Sequence, residues 1–447
     1  MPVEIFSIGG YEEVGRNMTA VKVDDEIVIL DMGWDLSKVL LLPKEKEWRE
    51  MSVQELIEIQ AFPDDEILIP YRKQVKAIVC SHAHLDHISA IPKMAPTYGK
   101  APIIGAPFTL EVLKALIKDT NVKLPNQLLA LKPGQTKKLT KSISIEFIYT
   151  THSTVECSIV AVHTPYGVVV YANDWKFDEQ PVLGPRTDTK RLKELGKSKD
   201  VLALVSCCLN VEKPTKTFSE VVVREMLRDI LFGIENDGKG IVITTFASHI
   251  SRIKTIVELS KKLGRKPVLF GSSMAKYMNA AEKVGIVNLK EDIELYARGP
   301  DVKKKMREIM KEGKHKYLLI TTGHQGEPGA VLDRLSKKEL PYKLSQGDQI
   351  IFSSNVIPSP VNISNVAELE QRLKRFHPRI FKDVHASGHA SKEDHRDLMK
   401  MLRPKNYIPC HGPVDMLANA ISLAYDFNMR LGKEAHILQN GQRLALE

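Results

Sequence analysis

Positions 82–87 read His82-Ala83-His84-Leu85-Asp86-His87, three imidazoles and one carboxylate within six residues. They follow the β-branched run Ile78-Val79-Cys80, which stops at Ser81. Loops at strand ends suit chemistry because the strand fixes the backbone while the loop frees the side chains. His82 and His84 alternate as strand residues do and can point the same way, with Asp86 and His87 one turn later. A divalent metal needs neutral imidazoles and carboxylates converging from rigid positions, with a place left for water. His82 and His84, with His152 from a later strand end, can make a three-nitrogen face for one metal. Asp86, His87 and His411 can hold a second, and Asp174 is the natural bridging carboxylate. Two metals so held, roughly 3.5–4 Å apart, would activate water and clamp a phosphoryl or acyl oxygen.

The elements that must position these residues are legible in the apolar pattern. Val3–Ile8, Thr19–Val23 and Glu26–Leu30 read as short strands broken by Gly9-Gly10, Gly15 and Asp24-Asp25. Residues 38–75 read as a helical and irregular excursion with breaks at Pro43, Pro63 and Pro70, and Lys76–Ser81 as the strand that delivers the histidine cluster. Ser142–Tyr149 runs into His152, and the hairpin Ser158–Thr164/Gly167–Tyr171 runs into Asn173-Asp174. From about residue 200 strands and amphipathic helices alternate, which argues for a parallel sheet covered on both faces. After Pro358-Ser359-Pro360 come a helix, the strand Ile380–Val384, a helix at Lys392–Leu402, and Tyr407–Pro409 ending in Cys410-His411.

Composition narrows the class. The 447 residues suffice for two or three domains, and an apolar share of 43% with 27% charged residues is that of a soluble globular protein. No run of eighteen apolar residues is present, which excludes a membrane helix, and the first residues lack the basic start and apolar stretch of a signal peptide. Five cysteines, none in a Cys-x-x-Cys pair, suggest neither a disulfide framework nor a zinc ribbon, so a cytoplasmic setting is expected. The net charge of +9 is concentrated at Val302–Lys316 and Arg252–Lys266, clusters of the kind that face a polyanion.

His82-x-His84-x-Asp86-His87, then His152, Asp174 and His411, resembles the ordered signature of the metallo-β-lactamase fold. The resemblance implies an α/β fold, an αβ/βα sandwich with two Zn²⁺ (or Mn²⁺) at one edge, and gives Asp31 the role of supporting the histidine loop. About 150 residues of β/α alternation between Asp174 and His411 resemble an inserted β-CASP domain, a mainly parallel sheet flanked by helices. The expected division is 1–205 and 361–447 for the metallo-β-lactamase domain and 206–360 for the insertion.

Thr245-Phe246-Ala247-Ser248, Gly271-Ser272-Ser273-Met274 and residues 322–328 resemble the β-CASP branch's loops facing the substrate, and residues 9–18, 353–358 and 385–391 are similar to ribonuclease J. Loops of this kind expose N–H groups that suit phosphate oxygens. The resemblance implies a 5′→3′ exoribonuclease acting on 5′-monophosphorylated single-stranded RNA. Asp86, Asp174 and His389 would be catalytic, with His389 protonating the leaving oxygen. Ser353, Ser354, His385, Ser387, Gly388, His389, Ser391, Gln325 and Gly326 would contact RNA phosphate. The chain ends about 35 residues after His411, which points to the shorter, archaeal-type form. No membrane is implied, and a homodimer or larger RNA-decay assembly stays open. So do endonucleolytic cleavage, small-molecule hydrolysis, and an RNA-binding paralogue with degraded chemistry. One departure bears on the last. The family carries an acid in a Glu-Ser-Thr-Asn run, and this chain reads Ser206-Cys207-Cys208-Leu209-Asn210, with Cys207 at the acid position.

Overall fold

The computed structural model describes residues 3–42, 47–357 and 359–446, so Pro43 and Pro358 lie outside it. The chain forms two compact units, one of Met1–Glu179, Gly184–Thr217 and Gly388–Glu447, the other of Gln180–Leu183 and Phe218–Ser387.

Two sheets make the first unit. Val3–Gly9 (β1), Met18–Val23 (β2), Glu26–Leu30 (β3), Val75–Val79 (β4), Ile103–Gly105 (β5) and Leu128–Ala130 (β6) belong to one. Thr136–Lys138 (β7), Ser144–Tyr149 (β8), Ser158–Thr164 (β9), Gly167–Ala172 (β10) and Val201–Cys207 (β11) belong to the other. In the second unit Ile241–Thr244 (β12), Lys266–Phe270 (β13), Glu294–Tyr296 (β14), Tyr317–Thr321 (β15), Gln349–Phe352 (β16) and Arg379–Phe381 (β17) form one sheet. The chain then returns to the first unit, adding Asn406–Cys410 (β18) beside β11 and Gln442–Leu446 (β19) beside β1.

Val21, Val28 and Val79 from the first sheet meet Ile145, Val160, Val169 and Val205 from the second in one buried cluster, which makes a sandwich of the two. The outer face of the second sheet is covered by the helices Thr189–Lys197, Lys392–Leu402 and Val414–Tyr425, through Leu192, Leu398, Leu417 and their neighbours. Parallel pairing runs through β10, β11 and β18, and separately through β3, β4 and β5. Strand ends of each set therefore lie side by side.

The inserted unit is a six-stranded sheet in the order β14-β13-β15-β12-β16-β17, parallel throughout. Its strands are apolar runs buried on both faces, as a helix-covered parallel sheet demands. Because β17 pairs with β16, residues 361–387 stay with this sheet, and β11 with the turn after it stays in the sandwich; the sequence expectation set those boundaries at 360 and 205. Ile380–Val384 is paired only to Phe381.

The basic clusters are less exposed than their composition suggests. Arg252 is wholly buried against the Glu220 carboxylate, and Lys305 is buried with Glu294 at 2.7 Å. Among the described residues no helix is long and apolar enough to cross a membrane.

Candidate metal centre

The cluster is built outward from Asp31. This residue ends β3 with φ of 60°, a left-handed conformation that aspartate tolerates better than most residues. Its carboxylate accepts from Ser81 N at 2.7 Å, Ser81 Oγ at 2.8 Å and Tyr171 OH at 3.0 Å, and lies 2.8 Å from His87 Nδ1. Asp31 thus ties the end of β4 to the His87 ring and faces away from the other histidines. Gly33 lets the chain pass close by: a Cβ there would lie 1.6 Å from Asp86 O.

Around that frame the ligand atoms converge. His82 Nε2 and His152 Nε2 each lie 3.1 Å from His84 Nδ1. Asp174 Oδ2 is 3.2 Å from His152 Nε2 and 3.5 Å from both His82 Nε2 and His87 Nε2. Its other oxygen, Oδ1, is 3.6 Å from His411 Nε2. Asp86 Oδ2 stands 3.5 Å from His87 Nε2 and 3.7 Å from His411 Nε2. Three groups of ligand-type side chains result, His82–His84–His152–Asp174, Asp86–His87–His411, and Asp174–Cys207–His389–His411, which shares a residue with each of the others.

The parallel strand ends explain the convergence. Ala172 on β10 pairs with Ser206 on β11, and Cys207 pairs with Cys410 on β18, so Asp174, Cys207 and His411 leave adjacent strands at one level. His152 arrives from the end of β8.

Each remaining imidazole nitrogen is held. His152 Nδ1–H donates to Gly388 O at 2.7 Å, His82 Nδ1 meets Ser81 Oγ at 3.0 Å, and His411 Nδ1–H donates to Asn17 Oδ1 at 2.8 Å. Such outer contacts fix the tautomer and aim of a metal-binding imidazole. Asn17 also receives Asn173 Nδ2–H at 3.0 Å, and that amide donates to Tyr171 OH at 2.7 Å. A continuous chain therefore runs from Asp31 through Tyr171, Asn173 and Asn17 to His411. Sequence reading placed Asn17 in a motif without giving it a role and passed over Tyr171 and Asn173. Their only signal was proximity to Gly15 and Asp174.

The electrostatics suit a cation. Burial lowers His82 well below its usual range and takes His84 down to about 3; it also lowers His411. Lowering of this kind favours the neutral imidazole, the form that ligates a metal. Burial works to raise Asp174, but the surrounding histidines outweigh it and keep the carboxyl ionised, and the same holds for Asp86 beside His87. Burial would also lower His87, yet Asp86, Asp174 and Asp31 together push it up, the field of three carboxylates that a cation would also feel.

The fit to metal rests on one further observation. Asp174 Oδ1 is buried without a hydrogen-bond partner, a costly state that coordination would relieve. Donor separations of 3.1–3.7 Å match ligand atoms about 2.0–2.2 Å from a tetrahedral Zn²⁺.

His389 borders this cluster, its Nδ1 3.6 Å from Cys207 Sγ and 3.7 Å from Asp174 Oδ1, and burial brings it down to about 3. Gly388 presses on His152, since a Cβ would sit 2.8 Å from the ring. Ser391 caps the helix Lys392–Leu402, its hydroxyl 3.0 Å from Thr217 Oγ1.

The other expected RNA-binding residues lie in the second unit. Ser353 Oγ donates to Val384 O at 2.9 Å and accepts from Arg252 Nη1 at 2.8 Å. Gln325 bridges Asn355 O and Ile357 N, at 2.7 and 2.8 Å. Gly326, with φ of 70°, abuts the Asn365 backbone. These three frame loops with their own contacts. Ser354 Oγ is buried without a partner, and the His385 ring lies 6.2 Å from that of Phe246. Ser387 ends the unit.

Comparison with known proteins agrees with this architecture. Residues 11–186 match the metallo-beta-lactamase superfamily, 238–373 the beta-CASP domain of ribonuclease J, and 375–438 the Zn-dependent metallo-hydrolase RNA specificity domain. Ribonuclease J of Methanocaldococcus jannaschii is 45% identical, over 100% of this chain and 99% of that protein. Ribonuclease J of Pyrococcus abyssi is 42% identical over 98% of this chain and 96% of its own length. A crystal structure of an Enterococcus faecalis protein of unknown function shares the fold, with a TM-score of 0.69 at 17% identity and 100% coverage of both chains. With a sandwich, an inserted parallel sheet and full-length likeness to these relatives, the chain belongs to the ribonuclease J family.

Proposed function

We propose that the protein is a metal-dependent ribonuclease that hydrolyses RNA phosphodiester bonds, working 5′→3′ on 5′-monophosphorylated single-stranded RNA with two zinc ions. The observation that carries the reading is the Asp174 carboxylate, buried between two complete ligand sets in a chain akin to ribonuclease J throughout. His82, His84 and His152 would hold one ion, Asp86, His87 and His411 the other, with Asp174 shared. When bound, such ions supply a nucleophile at neutral pH and positive charge for the attacking and leaving oxygens. Asp86, the most accessible ligand carboxylate, faces the side from which water enters, its side chain 30% exposed against 2% for Asp174. His389, with Nδ1 3.6 Å from Cys207 Sγ and 3.7 Å from Asp174 Oδ1, would stand beside the scissile bond and donate a hydrogen bond to the leaving oxygen. Arg252 and Gln325 hold the loops that present Ser354 and His385 to the 5′ phosphate.

The test uses 5′-labelled RNA with a 5′ mono- or triphosphate and added Zn²⁺ or Mn²⁺. Release of labelled mononucleotide from the monophosphate alone is expected; internal fragments would replace exonuclease by endonuclease. No cleavage with binding retained would overturn the enzymatic reading in favour of an RNA-binding paralogue, which Cys207 beside His389 favours.

A further inference from the structure

Within the first unit, away from the ligand histidines, lies a cavity of about 540 Å³ walled by the helices Thr189–Lys197 and Lys392–Leu402. The two helices touch backbone to side: a Cβ on Gly196 would lie 1.9 Å from Met401 O, so only glycine permits this approach. The close crossing places Lys193 and Lys197 from one helix beside Lys400 and Arg403 from the other, all lining the cavity and all exposed.

Like charges three or four apart on a helix repel, and two such pairs on touching helices repel further. A protein stabilised only from within would pair them. Among the described residues none of these four forms an ion pair, and the three acids of the cavity face other partners, one of them Lys216, a fifth lining cation. Asp397 pairs with Lys216 at 2.7 Å and Glu179 with Arg186 at 3.5 Å. Asp394 accepts from Thr217 N at 2.8 Å and Ser391 N at 3.1 Å. The uncompensated charge is therefore cationic.

We propose that this cavity is an exosite for the phosphodiester backbone of RNA; the proposal rests on the ribonuclease reading above. Its donors are mainly exposed ammonium groups, point charges that attract phosphate without reading bases, which suits a strand passing in many sequences. The cavity is also tied to the reacting side of the unit. Asp394 in its wall holds Thr217 N, and Thr217 Oγ1 donates to His389 O at 2.8 Å, so wall and His389 loop form one hydrogen-bonded piece.

The test compares the wild type with a variant carrying Lys193→Gln, Lys197→Gln, Lys400→Gln and Arg403→Gln. Binding of a fluorescent single-stranded RNA of about 30 nucleotides is measured by anisotropy in EDTA across a range of salt. Four lost phosphate contacts should lower the slope of log affinity against log salt by about 3 and weaken binding at least tenfold at low salt. Cleavage of a 5-nucleotide RNA should be unchanged. A variant with Lys193→Arg, Lys197→Arg and Lys400→Arg must keep the wild-type slope. An unaltered affinity and slope in the glutamine variant overturns the exosite, as does loss of the slope in the arginine variant. Because binding is read without metal, a wild type that binds but cleaves nothing overturns the ribonuclease reading alone.

Discussion

Asn17 is the residue on which the second ligand set turns. It accepts the His411 Nδ1 proton and receives the Asn173 amide, so its loss leaves His411 Nδ1 without that acceptor and the Asn173 amide with Tyr171 OH alone. Asn17→Ala should weaken metal binding roughly 10–100-fold, as removal of outer-shell partners does, read by titration against a chelating dye. The Asp174 side of His389 gives a second test. The Cys207 thiol stands 3.6 Å from His389 Nδ1. Burial pushes that thiol well above its ordinary range, so it is a neutral donor and steers the ring without charging it. Cys207→Ala should lower turnover at saturating RNA by about fivefold with KM unchanged, a loss near 1 kcal/mol, and Cys207→Ser should restore most of it. An unaltered turnover in the alanine variant would make Cys207 a packing residue.

At the scale of elements, Glu146 on β8 clamps strand to helix. It meets His163 Nε2 at 2.7 Å and takes both Arg191 Nε and Nη2, at 2.6 and 3.1 Å. Burial alone would raise its pKa, but these partners outweigh it and hold it at about 2. The folded value is thus below the unfolded one of about 4.3, so the contribution is full above roughly pH 5 and is lost as pH falls towards 2. With Arg191 part-exposed, it is on the order of 2 kcal/mol, and Glu146→Gln should flatten the acid limb of a urea-denaturation series over that range. Elements also explain what the amino-acid order reveals. His82 to His87, His152, Asp174 and His411 are legible because each follows an apolar strand, and so is the parallel inserted sheet, whose strands are unbroken apolar runs. Strands such as Thr136–Lys138 and Glu294–Tyr296 are only three residues long, and their pairing is decided by neighbours, not by their own pattern. Tyr171 and Asn17 escape for the same reason: one looks like an ordinary strand residue and the other like turn material, until β2 and β10 bring them to one place. Arg252 misleads in the opposite sense, a basic residue in a basic run whose charge is consumed by Glu220 and Ser353.

For the whole molecule, two units that each have apolar cores of their own imply two stabilities. Val28, Val160 and their neighbours form one, and Val242, Leu319 and Ile350 another. Metal at 100–1,000 times its Kd adds roughly 2.7–4 kcal/mol to the unit that binds it. Calorimetry should therefore show two transitions, with EDTA lowering one by about 5–15 °C and leaving the other in place. A single transition moving as a whole would show that the units unfold together. The order of segments along the chain has a consequence for biosynthesis. The sandwich opens with β1, is interrupted by residues 218–387, and is finished by β18, His411 and β19. A nascent chain emerges from its N-terminus, so His82, His84, Asp86, His87, His152 and Asp174 are all made before the ligand that completes the second set. A polypeptide released early from the ribosome lacks His411 and the strand that carries it. The second set of ligand-type residues can close only after residue 411 has been made, so a chain that stops within the inserted unit carries the first set alone.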